Sequence, residues 1–196
     1  MGKPEHKTSL SGGAMVNKTD SRMEFRGRLD SLCAMVVELQ ILGERQGAAS
    51  LVEELEEVGA KLYDVLSCEV TGKECGELFL WGMGGDEIRE RSHHPERYFG
   101  IGHIRPHYTM GVVAAGLNAL RTQVREAELS ACRAFAKAPN GEDEKEGRTD
   151  IIKVLNRLSS AVYILTYKYL PDGYDKTASF SRQKPVDGRT KAANDK

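Results

Sequence analysis

Apolar residues recur at every third or fourth position in four long segments of the chain, which is the pattern of a helix with one buried face. The four segments are 23–42, 51–66, 108–136 and 150–170. Asp20-Ser21 precedes the first segment and is a typical helix start. The pattern therefore predicts four long amphipathic helices.

Polar residues mark the ends of the later segments. Ser50, with Glu53 three residues further on, forms a capping-box signature for the second helix. Thr149 or Asp150 is placed to cap the fourth helix, and the run 171–173, Pro-Asp-Gly, is expected to end it.

The rest of the chain lacks long periodic runs. Residues 67–110 are punctuated by glycine and proline, with a short helix predicted at 86–92. Residues 1–20 are polar and glycine-rich and are expected to be loop. Long helices with few strand signals predict an all-α bundle of four to five helices. We expect one helical domain over 1–170 and a disordered polar tail over 171–196.

The composition narrows the class of protein. The chain has 196 residues and a formal net charge of −1, so it has no broad basic surface for nucleic acid. No apolar run approaches the length of a membrane span, and the first residues contain no hydrophobic signal segment. We therefore expect a cytoplasmic protein. Its cysteines are expected to be buried free thiols, and two thiols beside a loop, Cys68 and Cys75, do not by themselves make a closed zinc site.

Charged residues interrupt the apolar pattern of the third and fourth helices. Arg121, Arg125 and Glu128 recur at helical spacing and share one face. The fourth helix adds Asn156 and Arg157 among leucines. Because an unpaired buried charge is very costly, these arginines need partners or a ligand. Two core helices that both carry arginine indicate a pocket for a polyanion such as a triphosphate.

Two features of the first helix leave alternatives open. Asp30 stands among apolar neighbours and is expected to pair with Arg121 across the bundle, either as part of a site or as a plain interhelical salt bridge. Lys18, Arg22 and Arg26 are spaced by four. They form either a cationic rim for phosphates or a basic surface stripe.

Three separated motifs carry a family resemblance. The stretch K-T-D-S-R-M-E-F-R-G-R-L-D-S-L at 18–32 is followed by L-N-A-L-R-T-Q-V-R-E-A-E at 117–128 and by L-N-R-L-S-S at 155–160. In this order they resemble the motifs of ATP:cob(I)alamin adenosyltransferases. The stretch S-H-H-P-E-R-Y-F-G-I-G-H-I-R-P at 92–106 is similar to the ethanolamine-utilisation branch of that family. The resemblance covers about residues 7–170.

The resemblance implies a trimer of helical bundles with the active site between neighbouring subunits. It implies transfer of the 5′-deoxyadenosyl group of ATP to cobalt, which releases triphosphate, and a separate reductase for the cobalt. By motif position, the residues that would hold ATP and its Mg²⁺ are Thr8, Ser9, Lys18, Arg125, Glu128, Asn156 and Arg157. Asp30 and Arg121 match the acid–base pair placed against the corrinoid, and with Arg125 they are the catalytic candidates.

The chain also departs from the family pattern. The stretch K-P-E-H-K-T-S at 3–9 lacks part of the usual phosphate loop, and Glu126 stands where arginine is usual. The segment that supplies the corrinoid-facing aromatic is not preserved, so Phe99, His103 and Tyr108 are candidates for that lid. The His/Cys cluster of the ethanolamine branch would precede this chain, so we expect no metal held by protein ligands.

These departures keep two other functions open. The first is a non-catalytic corrinoid-binding carrier or sensor on the same fold. The second is a helical assembly subunit whose charged pairs only fix the register of its helices.

Overall fold

A computed structural model describes residues 4–10, 13, 15–135 and 147–177 of the chain. Its helices are α1 (Ser21–Arg45), α2 (Ala49–Thr71), α3 (Gly85–His93), α4 (Pro95–Phe99), α5 (Gly111–Phe135) and α6 (Thr149–Lys168). Its strands are β1 (Lys7–Ser9), β2 (Met15–Asn17), β3 (Phe79–Leu80) and β4 (Met83–Gly84). The strands form two small antiparallel hairpins, β1–β2 and β3–β4.

The four long helices form a bundle, as predicted. α1 and α2 pack as one antiparallel pair, α5 and α6 as another, and α1 lies against α5. The short α3 covers α6. Each of the four long helices buries the apolar residues that face the bundle interior, including Leu29, Leu55, Leu117 and Leu158. Each such side chain contributes about 1.5–3 kcal/mol through burial, so the stripes hold the bundle together.

Gly116 explains the close approach of α5 to α1. A Cβ atom at this position would collide with the side chain of Leu39 on α1. The absence of a side chain therefore lets the two helices pack closely at this point.

The helix starts agree only in part with the sequence prediction. Asp20 caps α1, because its Oδ1 accepts the backbone N–H of Arg22 at 2.9 Å. The predicted capping box of α2 is wrong. That helix begins after Ala48 without a side-chain cap, and Ser50 Oγ instead lies 3.1 Å from Tyr169 Oη. Ser50 thus joins α2 to the end of α6.

The predicted cap of α6 is also wrong. Arg148 is the residue that precedes the helix, in a left-handed conformation with φ of 51°. Asp150 accepts a hydrogen bond from Arg148 Nη2 at 2.9 Å and another from the backbone N–H of Cys75 at 2.8 Å. The Asp150 carboxylate therefore connects the loop after α2 to the start of α6 through hydrogen bonds.

The polar ends of the domain contain more order than the sequence predicted. The N-terminal loop contains the β1–β2 hairpin. Residues 171–177, expected to belong to a disordered tail, pack on the segment before α5. Tyr174 Oη donates to the Arg105 carbonyl at 2.6 Å, and Thr177 pairs with Ile104. Residues 178–196 lie outside the described part of the chain.

The glycine-rich stretch 81–86 contains a turn, because Trp81 and Gly82 adopt positive φ between β3 and β4. Cys132 is exposed rather than buried, whereas Cys68 and Cys75 are buried. In the described ranges, none of the helices has the length and apolarity needed to cross a membrane.

Candidate functional site

Polar and aromatic side chains line up where α5 and α6 pack against each other. On each helix the residues concerned are three or four positions apart, so they share one face. The two helices run antiparallel, which brings Glu128 opposite Asn156 and Arg121 opposite Tyr163. We call this set the α5–α6 polar face; it comprises Asn118, Arg121, Arg125, Glu128, Asn156, Ser160, Tyr163 and Tyr167.

One end of this face is a chain of polar side chains. Glu128 Oε1 accepts a hydrogen bond from Asn156 Nδ2 at 2.9 Å. Asn156 Oδ1 in turn accepts one from Arg157 Nη1 at 2.9 Å. The structure thus brings together three residues that the sequence assigned to ATP. Arg157 Nε is buried without a partner in the described residues, and Nη2 lies 3.8 Å from Asp86.

The middle of the face carries two arginines without a carboxylate partner. Arg121 donates from Nε and Nη2 to Asn118 Oδ1 at 3.2 and 3.1 Å. Arg125 makes no hydrogen bond or ion pair within the described part of the chain. Burial is the main cause that lowers the pKa of Arg121; the interaction with Tyr163 opposes it, and the neighbouring positive charge of Arg125 makes a smaller contribution that lowers the pKa further. The two guanidinium groups therefore form a local excess of positive charge, which an anion would relieve.

Two expectations about burial and pairing are wrong. Arg125 is exposed rather than buried, because its position turns away from the apolar stripe of α5. Asp30 is also exposed, and its carboxylate does not pair with Arg121. Asp30 lies on the same line of α1 as the exposed residues Val37 and Ile41, at spacings of seven and eleven. The helical rotation of 100° per residue places that line outside the core.

The other end of the face is aromatic. The Arg121 guanidinium lies 5.5 Å from the centre of the Tyr163 ring. Tyr163 Oη lies 3.1 Å from His103 Nδ1 and 2.9 Å from Tyr167 Oη. Phe99 stacks on Tyr167 with ring centres 4.7 Å apart and an interplanar angle of 16°. Two predicted lid residues, Phe99 and His103, are thus connected to Arg121 through two tyrosines.

The sequence prediction missed both tyrosines. Tyr163 and Tyr167 are four residues apart on α6, and Tyr163 follows Asn156 by seven residues. That spacing places all three on one helical face, but the sequence prediction rested on the charged and amide side chains of the segment. Burial is the main cause that raises the pKa of Tyr167, so its hydroxyl remains a neutral donor. It donates to the Gly102 carbonyl at 3.1 Å.

The third lid candidate is placed differently. Tyr108 lies in a single 3-10 turn, Tyr108–Met110, and is 86% exposed. Its ring packs on His107 with ring centres 4.4 Å apart. An exposed aromatic side chain at the start of α5 is available for contact with a ligand or another subunit.

The N-terminal candidates belong to the β1–β2 hairpin. Thr8 is half-buried opposite Val16, and Ser9 Oγ donates to the Leu10 carbonyl at 3.1 Å. Lys18 is exposed at the end of the hairpin. Among the residues described, no hydrogen bond or ion pair connects Thr8, Ser9 or Lys18 to the α5–α6 polar face.

Arg22 and Arg26 form an internal ion-pair cluster with Glu69 of α2. The Glu69 side chain is completely buried. Arg22 Nε donates to its Oε1 at 2.8 Å, and Arg26 Nε donates to its Oε2 at 2.6 Å. These arginines connect α1 to α2, so the geometry does not support a cationic rim made with Lys18.

Two solved structures of one class of enzyme share the fold of this chain. Two structures of single-site variants of a PduO-type ATP:corrinoid adenosyltransferase from Lactobacillus reuteri, complexed with cobalamin and ATP, have the same fold. Their TM-scores are 0.66 and 0.62 at 19% and 20% identity, and the matches cover 89% of this chain and 95% and 96% of those chains. The all-α bundle expected from the sequence is therefore confirmed.

The sequence comparison makes the assignment specific. The chain belongs to the cobalamin adenosyltransferase family, whose model matches residues 2–169. It is 36% identical over 163 residues to the corrinoid adenosyltransferase EutT of Escherichia coli K12 and 35% identical to EutT of Salmonella typhimurium LT2. These matches cover 83% of this chain, which spans 58% of the length of each relative. The family resemblance of the three motifs is confirmed.

Proposed function

We propose that the chain transfers the 5′-deoxyadenosyl group of ATP to cob(I)alamin and forms adenosylcobalamin and triphosphate. The observation that carries this proposal is the pair of arginines on α5, Arg121 and Arg125, which have no carboxylate partner in the described chain. The relatives are named corrinoid adenosyltransferases, and the structural neighbours were complexed with cobalamin and ATP. Both facts support the same reaction.

The reaction needs no nucleophile from the protein. Cobalt(I) donates an electron pair to C5′ of ATP, the bond between C5′ and oxygen breaks, and triphosphate leaves with the bonding electrons. The protein must position C5′ near cobalt and stabilise the leaving triphosphate. Arg125 compensates the phosphate charge, because its guanidinium is exposed and uncommitted. Asn156 contacts the nucleotide. Arg157 fixes the Asn156 side chain by donating to its Oδ1, whereas Glu128 accepts from its Nδ2.

Glu128 provides the oxygen ligand closest to this arrangement. Mg²⁺ prefers carboxylate, water and phosphate oxygens. Glu128 accepts a hydrogen bond only at Oε1 among the described residues, so its second oxygen remains able to contact the Mg²⁺ that arrives with ATP.

The aromatic end of the face is proposed to receive the corrinoid. Arg121 lies beside the Tyr163 ring at this end, and Phe99, His103 and Tyr108 form the lid. An apolar surrounding that excludes the lower axial ligand makes reduction of the cobalt easier. A separate cytoplasmic reductase supplies the electron.

We propose that the complete site forms between subunits of a homotrimer. Thr8, Ser9 and Lys18 of one subunit would then reach the α5–α6 polar face of the next. Val37 and Ile41 lie one turn apart on α1 and are 53% and 44% exposed, so a second subunit could cover them.

The direct experiment is an anaerobic assay with chemically reduced cobalamin and MgATP. We expect the visible spectrum of adenosylcobalamin to appear together with one triphosphate per product. Reactions without ATP, and with ADP in its place, are the controls. No spectral change under strict reduction would contradict the proposal.

One observation favours a second function, a non-catalytic corrinoid carrier or sensor. Glu126 is exposed directly beside Arg125 and introduces negative charge where phosphate would approach. Calorimetric titrations separate the two functions: a carrier binds cobalamin but not MgATP, whereas the enzyme binds both.

A further inference from the structure

A second cluster of polar side chains lies where α2 ends, apart from the α5–α6 polar face. Asp64 and Cys68 are four residues apart on one face of α2. Gly72 ends the helix in a left-handed conformation with φ of 73° and turns the chain back. The turn brings Cys75 over the same face, so that the ligand atoms of all three side chains lie within 4.8 Å of one another.

We propose that Asp64, Cys68 and Cys75 bind a single thiophilic divalent cation, with Zn²⁺ as the best fit. Two thiolates and a carboxylate form a mixed sulfur and oxygen donor set that suits zinc. A tetrahedral Zn²⁺ with Zn–S bonds of about 2.3 Å holds its two sulfur atoms about 3.8 Å apart. The ligand atoms, which lie within 4.8 Å of one another, would therefore need to approach by up to about 1 Å.

Three protein ligands leave a fourth position for water. Cys75 lines a cavity of about 310 Å³ between the loop after α2, the start of α3 and α6. The two cysteines are buried, whereas Asp64 is exposed. An ion therefore has an entry route from the cavity or past the carboxylate, and a metal site needs such a route.

The carboxylate is held in place by a lysine of the same helix. Lys61 Nζ donates to Asp64 Oδ2 at 2.8 Å and to the Gly76 carbonyl at 3.1 Å. Asp64 Oδ1 remains directed toward Cys68, whose Sγ lies 3.8 Å away. Outer contacts of this kind orient metal ligands and raise the affinity for the ion.

The backbone around both cysteines is fixed as well. Arg148 donates to the Cys68 carbonyl at 2.9 Å and to the Lys73 carbonyl at 2.8 Å. The N–H of Cys75 donates to Asp150 at 2.8 Å. The positive charges of Lys61 and Arg148 also offset the negative charge of the proposed donor set. The loop is therefore prearranged by contacts with α2 and α6 before any ion binds.

A disulfide between the two cysteines is the competing possibility. Both cysteines are free thiols in the structure. Asp64 Oδ1 lies 3.8 Å from Cys68 Sγ, and a disulfide would make no use of this carboxylate, whereas a metal ion would.

The test titrates the full chain, freed of metal and kept in a phosphine reductant, with Zn²⁺ and separately with Co²⁺. We expect one equivalent of metal per chain, thiolate-to-cobalt charge-transfer absorption with the visible bands of a tetrahedral site, and a higher melting temperature with Zn²⁺. Asp64→Asn should weaken Zn²⁺ binding by roughly tenfold or more, because even outer contacts change affinity by 10–100-fold. Cys68→Ala and Cys75→Ala should each abolish the charge-transfer band.

Cys132→Ala is the matched control, since it removes an exposed thiol from α5. It should bind both metals as the unaltered chain does. Circular dichroism of each variant checks that it folds. Because Asp64 is exposed, Asp64→Asn should fold normally, so its metal binding tests the site even if a cysteine variant fails to fold. The site is refuted if the unaltered chain shows no stoichiometric binding, if Asp64→Asn leaves the cobalt spectrum and affinity unchanged, or if Cys132→Ala loses the ion.

Discussion

Two pairs of arginines, each spaced by four residues, have opposite surroundings in this protein. Arg22 and Arg26 on α1 share the buried carboxylate of Glu69. Arg121 and Arg125 on α5 have no carboxylate, and Arg125 is without any polar partner in the described residues. The spacing in the sequence is the same, but the first pair connects two helices, whereas no carboxylate neutralises the second pair in the described residues.

The energetics of the two pairs differ accordingly. A buried carboxylate is stable only with well-placed cations, and removal of one side of a buried pair typically costs 3–5 kcal/mol. Two like charges at a spacing of four destabilise a helix by about 0.2–0.5 kcal/mol. The α5 pair therefore slightly weakens the folded chain, which is consistent with a role in binding an anion.

The largest effect is expected from Arg125→Ala. Loss of the guanidinium removes charge stabilisation of the leaving triphosphate, so kcat should fall about 10²–10³-fold. Because Arg125 is exposed, the melting temperature should hardly change. Arg133→Ala, which removes another exposed α5 arginine, one paired with Glu24 at 3.1 Å, should retain near-normal turnover. An equal loss of kcat in Arg125→Ala and Arg133→Ala would contradict a specific role of Arg125.

The ion-pair cluster is tested by Glu69→Gln. Two arginines then face each other without a carboxylate, and the free energy of unfolding in urea should fall by about 3 kcal/mol. The proposed adenosyl transfer by the folded chain should persist at temperatures well below the melting point. Glu53→Gln, at an exposed position on the same helix, should change stability by less than about 0.5 kcal/mol. A neutral effect of Glu69→Gln would show that the cluster is not structural.

A smaller effect is expected from Tyr163→Phe. The change removes the hydroxyl that connects His103 to Tyr167 but keeps the ring beside Arg121. A lost hydrogen bond of about 1 kcal/mol corresponds to a roughly fivefold higher KM for the corrinoid. The KM for ATP should stay the same. Tyr63→Phe, at a residue that is 64% exposed, is the control. If Tyr163→Phe changed only the KM for ATP, the corrinoid would not bind at the aromatic end of the face.

The smallest effect concerns an ordinary surface ion pair. Lys168 Nζ donates to Glu54 at 2.7 Å, and this hydrogen bond is the main cause that raises the pKa of Lys168. A raised pKa in the folded state means that the stabilisation is fully present below the unfolded pKa of about 10.4 and is lost as pH rises through the folded pKa. Lys168→Met should cost at most about 1 kcal/mol at pH 8, and urea unfolding should show this deficit disappearing as pH rises through the raised pKa of Lys168. A deficit that is independent of pH would indicate lost packing instead.

The sequence predicted the helices better than the contacts between their side chains. Helical periodicity located the four long helices and placed Arg121, Arg125 and Glu128 on one face, because that periodicity is a local property of the chain. It assigned Asp30 wrongly, because apolar neighbours in sequence are not neighbours on a helix. The helix rotates by 100° from Leu29 to Asp30, so the side chain of Leu29 faces the core and that of Asp30 faces solvent.

The missed contacts share a physical reason. Ser50 was expected to cap its own helix but contacts Tyr169, 119 positions away. Asp150 accepts the N–H of Cys75, and Tyr163 reaches His103. Such partners depend on how helices pack, and no local spacing encodes them. The three motifs were informative for a different reason, since they identified the family directly.

Calorimetric titration of MgATP into the unaltered chain and into Arg125→Ala and Arg133→Ala tests the central claim most directly. If the uncompensated arginines receive the triphosphate, the unaltered chain and Arg133→Ala bind with equal affinity, and Arg125→Ala binds at least about tenfold more weakly, with a smaller dependence on salt. Equal affinity in all three proteins would contradict the claim that this face of α5 holds the nucleotide.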